Sequence, residues 1–313
     1  MEIFPMMRGA FETTGTPRFV MYTIQRLGLD RKHGFTLEIS YAVDRIERQL
    51  ESVELALQRG EADLIDIDWI SIARERAKGL PITAFFPYGQ TVGSLIVPSN
   101  SPIKALPDIR GRKIGVVRIL DKNWVIARAF SRKVYGFDPQ GEVEIVEALS
   151  KARLTHLLEK GEVEGGFHFW QMVPPLTLTG RFRVVIDVVE MIQELAGASE
   201  RIPISIFVTR DAFLKESPET VKGFTRAFAE VVELMKMEDG IWEELGKVMM
   251  EGAAPKLVQA IRDGWRRMVV TEWNEETIQG IHQLFRALLK VGGKEVLGVD
   301  HIPPGTFTLL PPS

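Results

Sequence analysis

Apolar and polar positions along the first two hundred residues switch repeatedly between a period of two and a period near 3.6, which predicts strands alternating with helices. Residues 3–11 read as a strand, and Thr14-Gly15-Thr16-Pro17 then reads as a helix start, with Thr16 as N-cap and Pro17 at the first helical position. Phe19, Val20, Ile24 and Leu27 supply that helix with an apolar face, which Gly28 closes. Residues 35–41 predict a second strand, after which Asp44 caps a helix carrying Ile46, Leu50, Val53 and Leu57 at spacings of three and four. A strand at 63–67, a helix at 70–78 and a strand at 81–86 complete the block. Strands separated by helices of about ten to fifteen residues predict a parallel sheet of βαβ units.

A second block repeats the rhythm. It has strands at 94–98 and 112–117, a helix at 122–135, a strand at 143–146, a helix at 151–160 and strands at 166–170 and 182–188. From Ala212 to Val299 the pattern is helical, broken at Pro218, Gly240, Gly252 to Pro255 and Gly264. The last residues carry four prolines between Ile302 and Ser313 and read as an irregular tail.

Composition narrows the function classes. A chain of 313 residues predicts two domains or one large bilobal unit. There is no cysteine, which removes disulfides, thiolate metal sites and cysteine nucleophiles. With 39 Lys+Arg against 42 Asp+Glu there is no broad basic surface, so nucleic acid is not an expected partner. No run of 18 or more apolar residues occurs, so no transmembrane segment is expected. Met1-Glu2-Ile3-Phe4-Pro5 lacks the pattern of a signal peptide. The expected location is extracytoplasmic if a leader has been removed and cytoplasmic if Met1 is the true start. The charges of Glu47, Arg48, Glu51 and Glu54 read as a solvated helix face.

Four segments carry a family resemblance. Ala56-Leu57-Gln58-Arg59-Gly60-Glu61-Ala62-Asp63 joins a helix to a strand through Gly and Asp. Residues 101–115, with Ser101-Pro102-Ile103 and then Asp108-Ile109-Arg110-Gly111-Arg112-Lys113, precede a strand of the second block. Leu158-Glu159-Lys160-Gly161-Glu162 repeats the junction, and Phe169-Trp170-Gln171-Met172-Val173-Pro174-Pro175 follows it. In order and spacing these segments resemble the type II periplasmic-binding-protein fold. The branch is that of ABC-importer substrate-binding proteins for aliphatic sulfonates, taurine and nitrate, together with the thiamine-pyrimidine group. The resemblance implies an α/β fold with mainly parallel sheets, a helical C-terminal region and two lobes closing on ligand. Lobe one is expected at 1–88 plus 204–313, lobe two at 89–203, and hinges near 88–90 and 201–205.

Ligands of open α/β sheets bind beyond the carboxyl ends of strands, which directs attention to the loops there. Thr14, Gly15 and Thr16 offer hydroxyls and N–H groups, and Arg18 lies one step inside the helix, a set suited to an acidic group or to capping alone. Asp66 and Asp68 share a strand face, with Trp69 on the other, and suggest an amine, amidine or hydroxyl on the ligand; a cap and an ion pair are the structural alternative. Arg118 ends a strand ahead of Asp121, Asn123 and Trp124, where the family has small residues. His168 and Trp170 alternate with Phe167 and Phe169, and Trp170 and Tyr88 are the expected stacking residues, with core packing as the other role.

Other chemistries lack their residues. There is no GxGxxG, GxxxxGK[ST] or GxSxG, and the five histidines show no paired spacing, so neither a cofactor nor a metal is expected. The leading expectation is a non-catalytic receptor for a small anionic or aromatic molecule, partnered by the membrane subunits of an ABC importer. The alternative is a cytoplasmic enzyme on the same fold, such as a decarboxylase of an aromatic carboxylate, with His168 and Asp66 or Asp68 moving the proton.

Overall fold

A computed structural model describes residues 4–47, 50–197 and 201–310, so Ile3 and Arg48 lie outside the described residues. The chain opens with β1 (Met6–Glu12), α1 (Pro17–Arg26), α2 (Leu29–Lys32), β2 (Thr36–Ala42), β3 (Ile46–Glu47) and β4 (Leu50–Glu51). It continues through α3 (Ser52–Gln58), β5 (Ile65–Asp68), α4 (Trp69–Ala77) and β6 (Ile82–Gly89). There follow β7 (Ser94–Pro98), β8 (Lys113–Val116), α5 (Lys122–Tyr135), β9 (Glu144–Glu147), α6 (Lys151–Lys160), β10 (Gly165–His168), α7 (Val173–Thr177), β11 (Phe182–Asp187) and α8 (Val188–Ala196). After β12 (Ser205–Arg210) come α9 (Asp211–Glu216), α10 (Pro218–Met237), α11 (Asp239–Met249), α12 (Pro255–Met268) and α13 (Glu275–Leu297).

Apart from the short pair β3-β4, the strands gather into two groups, the first and the second sheet. In the first, β1 and β2 are parallel, and Gly9 and Leu64 bridge β1 toward an antiparallel set ordered β5-β12-β6. The second is ordered β11-β7-β10-β8-β9, parallel across β10, β8 and β9 and antiparallel at β7. The sheets are therefore partly parallel. The strands that run against their neighbours, β12 and β7, are those by which the chain enters a sheet from the other one. It leaves the first sheet between Gly89 and Ser94 and re-enters it at β12 from 201–204. Val270 N–H donates to Tyr88 O at 3.1 Å and Gln90 N–H to Met268 O at 2.8 Å, so a third passage lies beside the first. It delivers α13 to the second sheet, where α13 packs on α5 and α8 and Phe285 meets Trp69 edge-on at 6.3 Å.

Apolar periodicity explains the packing. Phe224 and Phe228, four apart on α10, both meet Phe207 of β12 at 4.9 Å, which places α10 on the first sheet. Gly93 marks a different constraint, because a Cβ there would fall 1.7 Å from the carbonyl oxygen of His168. Its N–H donates to Asn123 Oδ1 and its carbonyl accepts from Val188 N–H, so the passage cannot slide aside. Gly93→Ala is expected to destabilise by about 3 kcal/mol through overpacking. A urea-unfolding free energy within about 0.5 kcal/mol of the parent would contradict this close approach.

The helix expected from Asp44 starts instead at Ser52. Ile46 and Leu50 lie in the short antiparallel pair β3-β4, and the helix is entered through a capping box in which Glu51 N–H donates to Glu54 Oε2 at 2.6 Å. Of the charges read as a solvated face, Glu47 is exposed as expected, whereas Glu54, 5% exposed, turns inward. Gly28 opens α2 at φ 66°, and α1 is capped by Leu27. The strand expected at 166–170 stops at His168, and Trp170 begins a single helical turn.

Candidate functional site

Between the sheets lies a chamber of about 50 Å³, lined by Glu12, Thr16, Glu51, Asp66, Asp68, Tyr88, Thr91, Lys122, Lys151, Phe169, Trp170, Gln171 and Ser205. It has two walls. From the first sheet, β1 ends at Glu12 and the chain turns tightly, with Gly15 N–H donating to Glu12 O at 2.9 Å. Thr16 occupies the N-cap position but does not cap; its hydroxyl shares a 2.7 Å hydrogen bond with Tyr88 Oη, which also accepts from Trp265 Nε1 at 3.2 Å. Tyr88 is thus fully buried and fixed, with its hydroxyl end at the chamber.

Asp66 and Asp68 occupy alternate positions of β5 and both reach the chamber. Asp68 caps α4, taking Ser71 N–H on Oδ1 and Ser71 Oγ on Oδ2, each at 2.9 Å. Burial opposes its charge, yet Lys122, Arg118 and Arg74 outweigh that and hold its carboxyl below the ordinary value. Asp66 accepts from Ser205 Oγ at 3.0 Å. Burial pushes its pKa up to about 6, with Ser205 and Lys122 pulling the other way. Trp69 points away from both, into the core, and donates to Pro203 O at 3.1 Å.

The second wall brings two lysines. Lys122 and Lys151 are the first residues of α5 and α6, where a cation opposes the helix dipole. Lys122 Nζ donates to Thr91 Oγ1 at 3.1 Å. Lys151 Nζ pairs with Glu12 and, at 3.2 Å, with Asp44 Oδ1, while Lys151 N–H donates to Asp44 Oδ2 at 2.8 Å. Both ammonium groups face the ring of Phe169, at 5.1 Å and 4.8 Å. Burial raises the Glu12 pKa to about 8 against the pull of Lys151, and its Oε1 is buried with no hydrogen-bond partner.

The structure does not bring all the residues expected from the sequence to this chamber. Arg118 is buried among Glu51 (3.4 Å), Glu54 (3.4 Å) and Asp68 (3.8 Å), and this cluster takes the guanidinium expected to meet an anion. Asn123 holds Gly93, and Trp124 is core, donating to Gln140 Oε1 at 2.7 Å and packing on Phe167. His168 Nε2 bonds Thr155 Oγ1 at 2.8 Å and its Nδ1 accepts from Phe169 N–H, so neither nitrogen faces the chamber; burial and Lys151 lower its pKa to about 3. Thr14 donates to Asp44, and Arg18 lines a separate outer cavity. Gly15, Thr16, Asp66, Asp68, Tyr88 and Trp170 do meet. Glu12, Lys122 and Lys151 join them without having been singled out in the sequence, as does Glu51, which was expected on a solvated helix face. Two lysines at the electropositive ends of helices were the legible signal for the second wall. Among the described residues no three His, Asp or Glu side chains gather as metal ligands, and no helix is long and apolar enough to cross a membrane.

Two sheets with three chain passages between them and a chamber lined by acids and lysines at their facing edges define an α/β protein of the periplasmic-binding-protein fold. More particularly, the chain belongs to the NMT1/THI5-like family, whose sequence pattern matches residues 31–238. The fold is similar to that of the periplasmic aliphatic sulphonate binding protein SsuA from Escherichia coli. The two share 15% identity at a TM-score of 0.74, over 98% of this chain and 94% of that one. It is also similar to the alkanesulfonate-binding protein SsuA from Xanthomonas axonopodis pv. citri bound to MOPS, at 16% identity and TM-score 0.74, over 98% and 100%. The Candida albicans CA3427 gene product, described as having the generic periplasmic binding protein fold, aligns at 14% identity and TM-score 0.64 over 98% and 97%. No curated protein matches the sequence.

Proposed function

We propose that the chain is an extracytoplasmic solute-binding protein that closes two lobes on a small ligand and delivers it to the membrane subunits of an ABC importer. Lobe one carries the first sheet and lobe two the second, and the passages near 88–90 and 201–205 are the hinges. α13 rides on the second lobe. The family membership and the fold shared with binding proteins support this reading.

The observation that carries the ligand class is the balance of charge at the chamber. Four acidic side chains, Glu12, Glu51, Asp66 and Asp68, line it beside the ammonium groups of Lys122 and Lys151, with Arg118 behind Glu51 and Asp68, and Glu12 Oε1 is buried without a hydrogen-bond partner. A ligand head rich in N–H donors, an amine or amidine, finds acceptors among these acids. Tyr88, Phe169 and Trp170 supply the aromatic walls. In place of the anionic group first expected at Arg118, the inner chamber thus favours a cationic head. The proton-transfer role considered for His168 finds no support, since its ring is engaged by Thr155 and Phe169.

Asp66→Asn is expected to weaken an amine ligand found by thermal-shift screening about tenfold to a hundredfold, the range of a hydrogen bond to a charged group. Wild-type affinity is expected to fall below about pH 6, as Asp66 takes up its proton, and to rise again toward pH 8 as Glu12 loses its own. Calorimetric titration between pH 5 and 8 checks both; affinity that rises toward low pH would contradict the assignment of Asp66.

A further inference from the structure

Arg18 has no hydrogen bond or ion pair among the described residues, although its Nε is buried. Its guanidinium sits 4.7 Å from the Phe19 ring, and burial lowers its pKa. It occupies the first turn of α1, which contains no acidic residue. A partly desolvated cation with no counter-charge is a standing cost that an incoming anion would relieve.

The space beside Arg18 is a cavity of about 480 Å³, walled by Thr13, Phe19, Met172, Met249 and Met250, with Glu251 at its exposed rim. Thioether side chains adapt to extended apolar guests. This outer cavity and the inner chamber share one wall, formed by Thr16 and Gln171, which line both. Gln171 Nε2 reaches across to Thr14 O with a hydrogen bond of 3.3 Å, long enough to yield. The inner chamber, at about 50 Å³, has room for only a few water-sized groups. A head group fits there and the rest of a ligand does not.

We propose that the solute is a two-ended molecule, with an amine or amidine head in the inner chamber, a chain passing between Thr16 and Gln171, and an acidic end held by Arg18 in the outer cavity. This rests on the inner chamber being the ligand site. The methionines that line the outer cavity cover the chain. Carboxylate, sulfonate and phosphonate share the chemistry that Arg18 recognises.

The test is calorimetric titration with linear ω-amino carboxylic acids of increasing length, each compared with the alkylamine of the same length. Wild type, Arg18→Gln, Arg18→Lys and Asp66→Asn are compared, and sulfonate and phosphonate analogues of the best length separate the three acids. Beyond a threshold length the amino acid is expected to bind at least tenfold more tightly than its matched amine. That ratio collapses toward one in Arg18→Gln and is partly restored in Arg18→Lys. If amines bind through Asp66 but an acidic end adds nothing at any length, or its gain survives Arg18→Gln, the two-ended ligand is wrong and the inner-chamber reading stands. If neither series binds, the inner-chamber reading itself falls, and the two-ended ligand with it.

Discussion

Arg118→Met is expected to lower the free energy of unfolding by about 3–5 kcal/mol, the cost of removing one partner from a buried ion cluster. The guanidinium is 2% exposed and stands between Glu51 and Glu54 at the start of α3 and Asp68 at the end of β5, also donating to Ser71 Oγ at 3.1 Å. It comes from the second sheet, and its acids come from the first. Loss of the cation leaves three acidic side chains facing one another. Adding Glu54→Gln, which supplies an amide donor among them, is expected to recover part of the loss. Urea unfolding at pH 7 measures both; a free energy within about 0.5 kcal/mol of the parent for Arg118→Met would show that the cluster contributes nothing net.

The same cluster sets a pH dependence. Burial raises the Glu54 pKa to about 8 against the pull of Arg118, and raises Glu12 to about 8 against the pull of Lys151. Acids with raised pKa values bind more protons in the folded state, so their contribution is full below the unfolded value and is lost as pH rises through the folded one. His168, lowered by burial, acts in the opposite sense but only below about 6.5. Between pH 6.5 and 8 the carboxylates decide, and stability is expected to decline with rising pH. Glu54→Gln should flatten that slope.

Lys151→Met is expected to act on closure. Its ammonium, from the helix α6 of the second sheet, meets Glu12 and Asp44 of the first, so the contact exists only when the sheets face each other. Removing it destabilises the closed arrangement by about 3 kcal/mol, roughly a hundredfold in the closed-to-open ratio. Small-angle scattering of the ligand-free protein should show a larger radius of gyration for the variant. An unchanged scattering profile would mean that closure does not depend on this pair.

Much of the architecture is legible because it is local. Residues 122–135 and 151–160 show helical spacing with clear stops at Gly136 and Gly161, and the structure places helices there. α8 carries the same kind of local signal, with Val188, Met191, Ile192 and Leu195 at helical spacing and a stop at Gly197, but β12 is not legible in that way. β12 is a short apolar run, Ser205–Arg210, whose strand character comes from pairing with β5 and β6, far away in sequence. The helix expected from Asp44 was displaced for a similar reason, since Lys151, more than a hundred residues on, takes the Asp44 carboxylate. At the site, Asp66, Asp68, Thr16 and Tyr88 could be found because strand ends and helix starts are marked locally. Arg118 could not be assigned, because whether a guanidinium meets a ligand or the chain's own acids depends on which loops the fold brings opposite it.

The most direct test of the receptor reading is native mass spectrometry of the protein after incubation with a defined mixture of amines, amidines, aminopyrimidines and ω-amino acids. The account predicts one bound compound per chain, released unchanged on denaturation and absent from Asp66→Asn. A compound recovered as a different mass, or bound equally by Asp66→Asn, would contradict a receptor whose ligand sits at this chamber.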